Sequence, residues 1–350
     1  MSGRAPCALL RSRRSDQEQH VAAVLSFESP DLPDACPQPL RGVLRLSALA
    51  LAGGRTLTDA DIAWQAWGDP GLPAVVVLGG ISAGRDPDRW WSAQCGVGRA
   101  LDPRRLRIVS IDWLGGADAS TGPRAGDDTF PAIDSADQAA AVLAVLNHLG
   151  IARVALAIGA SYGGCVVQHL ARLAGARIGR AVVISAGPQA SAWARGLRGL
   201  QRGLVAAAAP ERRGAALAQA RQLAMLSYRT PGELESRFGG AEPADGLERW
   251  LDAHGARFAA RFPAEAFVTL SASLDAHRCR PEAIAVPLTV VGVRDDLLVP
   301  IQTLRAFAEC LGPRAELHEF DSIYGHDAFL KEDATIAGIF RHALAAEDCA

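Results

Sequence analysis

The sequence contains no apolar run of the roughly 18 to 20 residues needed to cross a bilayer, and its start lacks the sustained apolar segment of a secretory signal. A soluble, unsecreted protein is expected. Charge of one sign is equally scarce: arginine is balanced by aspartate and glutamate, and the formal net charge is −2. That leaves no basic field of the kind nucleic-acid binding requires, so neither nucleic acid nor a membrane is expected as a partner. Cysteine is sparse and unpatterned. The seven residues, at 7, 36, 95, 165, 279, 310 and 349, are odd in number and include no CxxC spacing. This argues against a disulfide framework or a zinc site and suits a reducing cytoplasm. No metal is expected, and there is no internal repeat or low-complexity tract.

What is present is apolar residue in quantity. The 350 residues are 49% hydrophobic, enough for one large α/β domain or two ordinary ones. Residues 1–42 hold an arginine cluster (Arg11, Arg13, Arg14) and prolines at 30, 33, 37 and 39, and are expected to form a flexible N-terminal arm. From Val43 short apolar runs alternate with helical periodicity, which predicts an α/β fold. Strands are expected at 43–51, 62–67, 74–78, 106–111, 153–158, 180–185, 287–293 and 315–320, and helices at about 133–149, 161–174, 301–311 and 333–346. The runs 74–78, 153–158 and 287–293 are apolar on both faces, as parallel strands covered by helices on each side must be. Between 188 and 280 the strand signal disappears and Ala, Leu and Arg recur at helical spacing. A helical lid insertion over a core of 43–187 and 281–350 is expected, above the carboxyl ends of the strands where open α/β sheets bind ligands.

Residues 159–163 read Gly-Ala-Ser-Tyr-Gly, between an apolar strand and a helical stretch. This is the context of a nucleophile elbow, a tight strand-to-helix turn on which a serine projects above the sheet. Ser161 is the expected nucleophile. A rival pattern, Gly80-Ile81-Ser82-Ala83-Gly84, is followed by Arg85, Asp86, Pro87 and Asp88, a loop rather than a helix able to lend its N-terminal dipole. The Gly79-Gly80 turn is better suited to supplying an oxyanion-hole amide. The backbone N–H of Gly79 or Gly80, with that of Tyr162, would then face developing negative charge.

After the strand 287–293 come Asp295 and Asp296, and either could orient a histidine from that strand end. After the strand 315–320 comes the loop Asp321 to Asp327, which carries His326. His148 and His169 fall within predicted helices and His318 within a predicted strand. The chain order serine, aspartate, histidine is that of α/β-hydrolase-fold enzymes.

Several further segments carry a resemblance. These are Trp90-Trp91, Gly98 to Leu101, Leu114-Gly115-Gly116 followed by Ser120-Thr121-Gly122-Pro123, Phe130-Pro131, His148-Leu149-Gly150, Asp296-x-Leu-x-Pro300, and Gly325-His326-Asp327-Ala328-Phe329-Leu330. With the elbow, they resemble the homoserine O-acyltransferases of methionine biosynthesis from about residue 55 to the end. The resemblance implies an α/β-hydrolase fold with Ser161, Asp296 and His326 as catalytic triad. It also implies Arg202 for the substrate carboxylate and Asp327 for its amine. The co-substrate would be an acyl-CoA and the acceptor L-homoserine, with no further cofactor. Tyr162 stands where that family usually has methionine, and Gly79-Gly80-Ile81 where it has a threonine-containing loop. The insertion is short, as in a compact branch that uses succinyl-CoA, so succinyl is favoured over acetyl. An exposed helical lid suits a homodimer. The rivals are serine as acceptor, an ester or thioester hydrolase of the same fold, and a non-catalytic binding scaffold, which an intact triad disfavours.

Overall fold

The computed structural model describes residues 36–126, 129–240 and 245–348. Most of the expected arm, residues 1–35, lies outside them. Its last residues are already sheet: β1 (Leu40–Ala50) begins before Val43 and pairs antiparallel with β2 (Thr56–Trp67), from Leu40↔Ala66 to Ala50↔Thr56. The early start and the length of β2 escape a hydropathy reading because polar cross-strand pairs build this end of the hairpin. Arg45 Nε donates to Asp61 Oδ1 at 2.8 Å and Arg41 Nε to Gln65 Oε1 at 2.9 Å.

The remaining strands are β3 (Ala74–Leu78), β4 (Arg107–Ile111), β5 (Val154–Ala160), β6 (Ile178–Ile184), β7 (Leu288–Val293) and β8 (Ala315–Phe320). Among the described residues they complete an eight-stranded sheet of order β1-β2-β4-β3-β5-β6-β7-β8, antiparallel at β1–β2–β4 and parallel from β4 to β8. Alternate residues of β3 explain its unbroken apolar run. Val76 and Leu78 face α3 (Tyr162–Ala174), within the core cluster to which α2 (Ser135–His148) and α9 (Ile301–Leu311) also contribute. Val75 and Val77 face the other way, into a cluster with Trp91 and with Ile336 and Phe340 of α10 (Asp333–Asp348). A period of two on a sheet covered on both sides makes every position apolar. A short α1 (Pro87–Trp90) follows β3 and had no counterpart in the sequence reading.

From β3 the chain steps to β4 on one side and then to β5 on the other. The strand order therefore reverses at the carboxyl ends of β3 and β5, where such sheets open a crevice. Between β6 and β7 the described chain is helical: α4 (Ala192–Ala206), α5 (Arg213–Tyr228), α6 (Pro231–Phe238), α7 (Gly246–Ala259) and α8 (Ala264–Ala276). α5 packs on α4 and α7, and α4 on α8. The two ends of this stretch meet, since Cys279 N–H donates to Pro188 O at 2.9 Å.

Candidate active site

Ser161 occupies the turn between β5 and α3 with φ 54° and ψ −116°, a conformation unusual for a residue with a side chain. The turn closes only because its neighbours are glycines. A Cβ on Gly159 would collide with the carbonyl of Gly163, and one on Gly163 with the carbonyl of Leu78. The backbone is pinned by Ser161 N–H donating to Ile184 O at 2.9 Å and Gly163 N–H to Gly79 O at 2.8 Å.

The Ser161 hydroxyl lies 2.9 Å from His326 Nε2, and His326 Nδ1 lies 2.8 Å from Asp296 Oδ2. Asp296 Oδ1 accepts from the amides of Leu298 (2.8 Å) and Val299 (3.0 Å). These bonds hold the carboxylate in one orientation. Nδ1–H then donates to Asp296, leaving Nε2 to accept from the serine. Burial works against a charged His326, but the charge and hydrogen bond of Asp296, with the charge of Asp327, outweigh it and raise the imidazole above its ordinary pKa. Asp295, the other aspartate of the pair, is exposed. Ser82 lies on a turn closed by Ala83 N–H to Gly80 O (2.9 Å), and no histidine bonds it among the described residues. The Cys165 thiol, close by on α3, is pushed up to about 12 by burial and stays protonated.

The expected oxyanion amides differ in the direction they point. Tyr162 N–H is the first of α3 and has no helical acceptor. On the loop after β3, however, the carbonyl of Gly79 is taken by Gly163 N–H, which turns the N–H of Gly80 away from α3, because N–H and C=O of a trans peptide point in opposite directions. The carbonyl of Gly80 accepts from the buried Trp113 Nε1 at 3.0 Å, so the next amide, that of Ile81, points away from the core. Ile81 and Gly80 line the cavity above Ser161, whereas Gly79 does not.

That cavity, about 650 Å³, lies between the carboxyl ends of the strands and α4, α5 and α8. Asp327 lines it, with Oδ2 accepting from Arg229 Nε at 3.0 Å and Oδ1 free of protein partners among the described residues. Arg202 does not line it. Its Nη1 donates to Asp275 Oδ2 (2.7 Å), Ser271 Oγ (2.9 Å) and Ser271 O (3.1 Å), and Arg198 shares the same aspartate. Two cations line the cavity without an ion pair among the described residues, Arg261 and Arg221 of α5, the latter stacked over Tyr228 (5.2 Å) and Phe258 (4.9 Å). Tyr228 lies 5.8 Å from the His326 ring. Arg221 and Tyr228 stand two turns apart on one helix face, but nothing in an alanine-rich helix tells which face looks inward. Ser185, at φ 48°, adds to the same wall a buried hydroxyl with no hydrogen-bond partner among the described residues.

A family model described as alpha/beta hydrolase fold matches residues 73–333. The chain is 40% identical to a protein of Xanthomonas campestris pv. campestris named homoserine O-succinyltransferase, over 90% of this chain and 87% of that one. It is 35% identical to a homoserine O-acetyltransferase of Deinococcus radiodurans, over 89% and 94% of the two chains. The crystal structure of homoserine O-acetyltransferase from Bacillus anthracis superposes with a TM-score of 0.79 at 17% identity, covering 87% of this chain and 97% of that one, a likeness of fold.

Proposed function

The chain belongs to the homoserine O-acyltransferases of the α/β-hydrolase fold, and from that membership we propose that it moves a succinyl group from succinyl-CoA to the hydroxyl of L-homoserine through an acyl-Ser161 intermediate, in methionine biosynthesis. The observation that carries this reading is the hydrogen-bonded Ser161–His326–Asp296 chain opening into a cavity that also holds Arg221 and Asp327. A plain esterase has no use for a fixed cation and a fixed anion beside its nucleophile. A free amino acid needs both.

In the first half-reaction His326 Nε2 takes the Ser161 proton as the oxygen attacks the thioester carbonyl, and Asp296 stabilises the imidazolium. The amides of Ile81 and Tyr162 receive the charge that develops on the carbonyl oxygen. The imidazolium returns its proton to the coenzyme A sulfur as it leaves. L-homoserine then enters with its carboxylate on Arg221 and its ammonium on Asp327. His326 deprotonates its hydroxyl, which attacks the acyl-serine carbonyl; the acyl–Oγ bond breaks, the imidazolium returns the proton to Ser161, and the product ester is released. The helices α4 to α8 act as a lid that keeps water from the acyl-enzyme. No cofactor besides the acyl-CoA co-substrate is required.

Succinyl is favoured over acetyl because the cavity offers a further arginine. Arg261 lines it with no ion pair among the described residues, although its charge is felt by Asp118, so a donor carboxylate and the acceptor carboxylate can each meet a cation. A homodimer through α4 is proposed from the exposed Trp193, Leu200 and Leu204, which recur at helical spacing on one side of that helix. No helix among the described residues is long and apolar enough to cross a membrane, and five described cysteines are unpaired. Both fit a reducing cytoplasm.

The test is coenzyme A release from succinyl-CoA and from acetyl-CoA, each with and without L-homoserine, and with L-serine as competing acceptor. The proposal requires sustained turnover only with homoserine and a succinyl mass increment on Ser161 without it. Equal turnover in water would leave a thioester hydrolase, and a preference for L-serine would replace the acceptor.

A further inference from the structure

Outside the active site, one group of side chains converges without serving the reaction. Glu316 and His318 are two residues apart on β8 and project from the same face of this edge strand. His342 of α10 meets them. His318 Nε2 lies 2.9 Å and His342 Nε2 3.0 Å from the same Glu316 Oε1, and one ligand atom from each of the three residues falls within 4.8 Å of the others. His318 Nε2 is shielded from solvent, yet its angle to the carboxylate is not that of a hydrogen bond, so it has no hydrogen-bond partner among the described residues. An imidazole nitrogen withdrawn from water, beside a carboxylate it does not bond, is open to another ligand.

We propose that Glu316, His318 and His342 form a binding site for a divalent transition-metal ion of the zinc class, with water as fourth ligand. Two imidazoles and one carboxylate suit zinc and its neighbours and not magnesium or calcium, which take oxygen ligands. Zinc holds such atoms at about 2.0 to 2.2 Å, which sets tetrahedral ligand-to-ligand gaps of roughly 3.3 Å. The gaps to Glu316 Oε1 are already close to that value, so the side chains need to part by only a few tenths of an ångström. The sequence hides the site because two ligands come from a strand and the third from a helix 24 residues further on, outside any familiar zinc spacing. The ion would clasp β8 to α10, the two elements that flank the Gly325–Leu330 turn carrying His326. Its role is to brace the support of the catalytic histidine, and no step of the acyl transfer runs through it.

The experiment uses the full chain, stripped with a chelator, titrated with Zn²⁺ by calorimetry and melted with and without the metal. One ion per chain and a rise in Tm are expected. His342→Ala and, separately, Glu316→Gln should weaken binding by about 100-fold or more and abolish the rise. The metal-free Tm of His342→Ala should stay near that of the parent, because a half-exposed pair contributes little. Co²⁺ should give visible d–d absorption without the near-ultraviolet thiolate band. Absence of binding, or binding of the same strength in His342→Ala as in the parent, would overturn the proposal.

Discussion

The phenol of Tyr162 lies 2.6 Å from the hydroxyl of Ser273, with both groups buried. The residue that follows the nucleophile is thereby tied to α8, one of the helices that roof the cavity. Its ring also meets Trp113 edge-on at 5.0 Å, and Trp113 in turn donates to the carbonyl of Gly80. One side chain thus links the elbow, the loop after β3 and the helical roof. A tyrosine at this position fits because α8 supplies a hydroxyl partner in the core.

Tyr162→Phe should therefore lower unfolding free energy by about 1 to 3 kcal/mol, the cost of leaving the buried Ser273 hydroxyl unpaired. The double variant with Ser273→Ala should recover part of that loss. Denaturant unfolding of the four proteins of this cycle measures the coupling, and purely additive losses would show that the two hydroxyls do not stabilise each other.

Ser161→Ala should abolish both coenzyme A release and acyl labelling while leaving the fold intact, whereas Ser82→Ala should retain the covalent chemistry. Asp296→Asn should cost several orders of magnitude in turnover, since the imidazole loses its tautomer and its counter-charge. Asp295→Asn, at an exposed position, should cost little. Intact-protein mass and steady-state kinetics check all four, and the reverse ranking of the two aspartates would contradict the geometry.

The raised pKa of His326 sets the acid limb of the pH profile. The base must be neutral, so activity should be present at higher pH and fall as pH drops through a value above the ordinary histidine pKa of 6.5. In Asp296→Asn the acid limb of the residual rate should move to lower pH, because burial then acts with less opposition. The pH dependence of kcat/KM for succinyl-CoA reads this directly, and an acid limb that stays in place would separate it from His326.

The acceptor clamp can be tested apart from the triad. Arg221→Ala and Asp327→Ala should still release a single equivalent of coenzyme A from succinyl-CoA. Transfer to homoserine should then fall about 30-fold or more, as expected when a substrate charge worth at least 2 kcal/mol loses its partner. Arg202→Ala should leave transfer largely intact and lower stability instead, since it strips a cation from Asp275. Stopped-flow release followed by product analysis separates the half-reactions, and a stronger transfer defect in Arg202→Ala than in Arg221→Ala would reverse the assignment.

His277 predicts an acid-sensitive fold. Its ring is buried, with Nδ1 2.7 Å from Ser135 Oγ, and burial together with the neighbouring His169 lowers its pKa from 6.5 to about 3. The unfolded chain binds this proton more readily than the folded one, so stability should fall as pH drops below about 6.5 and level off near 3. His277→Asn keeps a group able to bond Ser135 and removes the titration. It should show a shallower loss over that window in unfolding experiments at stepped pH, and an unchanged slope would assign the acid sensitivity elsewhere.

Much of this protein is written in local patterns that act over a few residues. The runs of β3, β5 and β7 are apolar at every position because both sheet faces are covered, and that can be read before any fold is known. The Gly-x-Ser-x-Gly turn is equally local, since the crowding that forbids a Cβ at Gly159 and Gly163 comes from the turn itself and the end of β3. The order of serine, aspartate and histidine, each after a strand, follows from the same patterns. Other features depend on contacts between segments far apart in the chain. Arg198, Arg202 and Arg221 are alike as residues, and which of them keeps its charge unpaired depends on Asp275 of α8 being within 2.7 Å of the first two. Likewise, two adjacent glycines advertise an oxyanion loop, but only the donors that occupy their carbonyls, Gly163 and Trp113, turn the Ile81 amide outward. The direction of a charge or an amide is set by its partner. When that partner lies tens of residues away, the tertiary structure decides it.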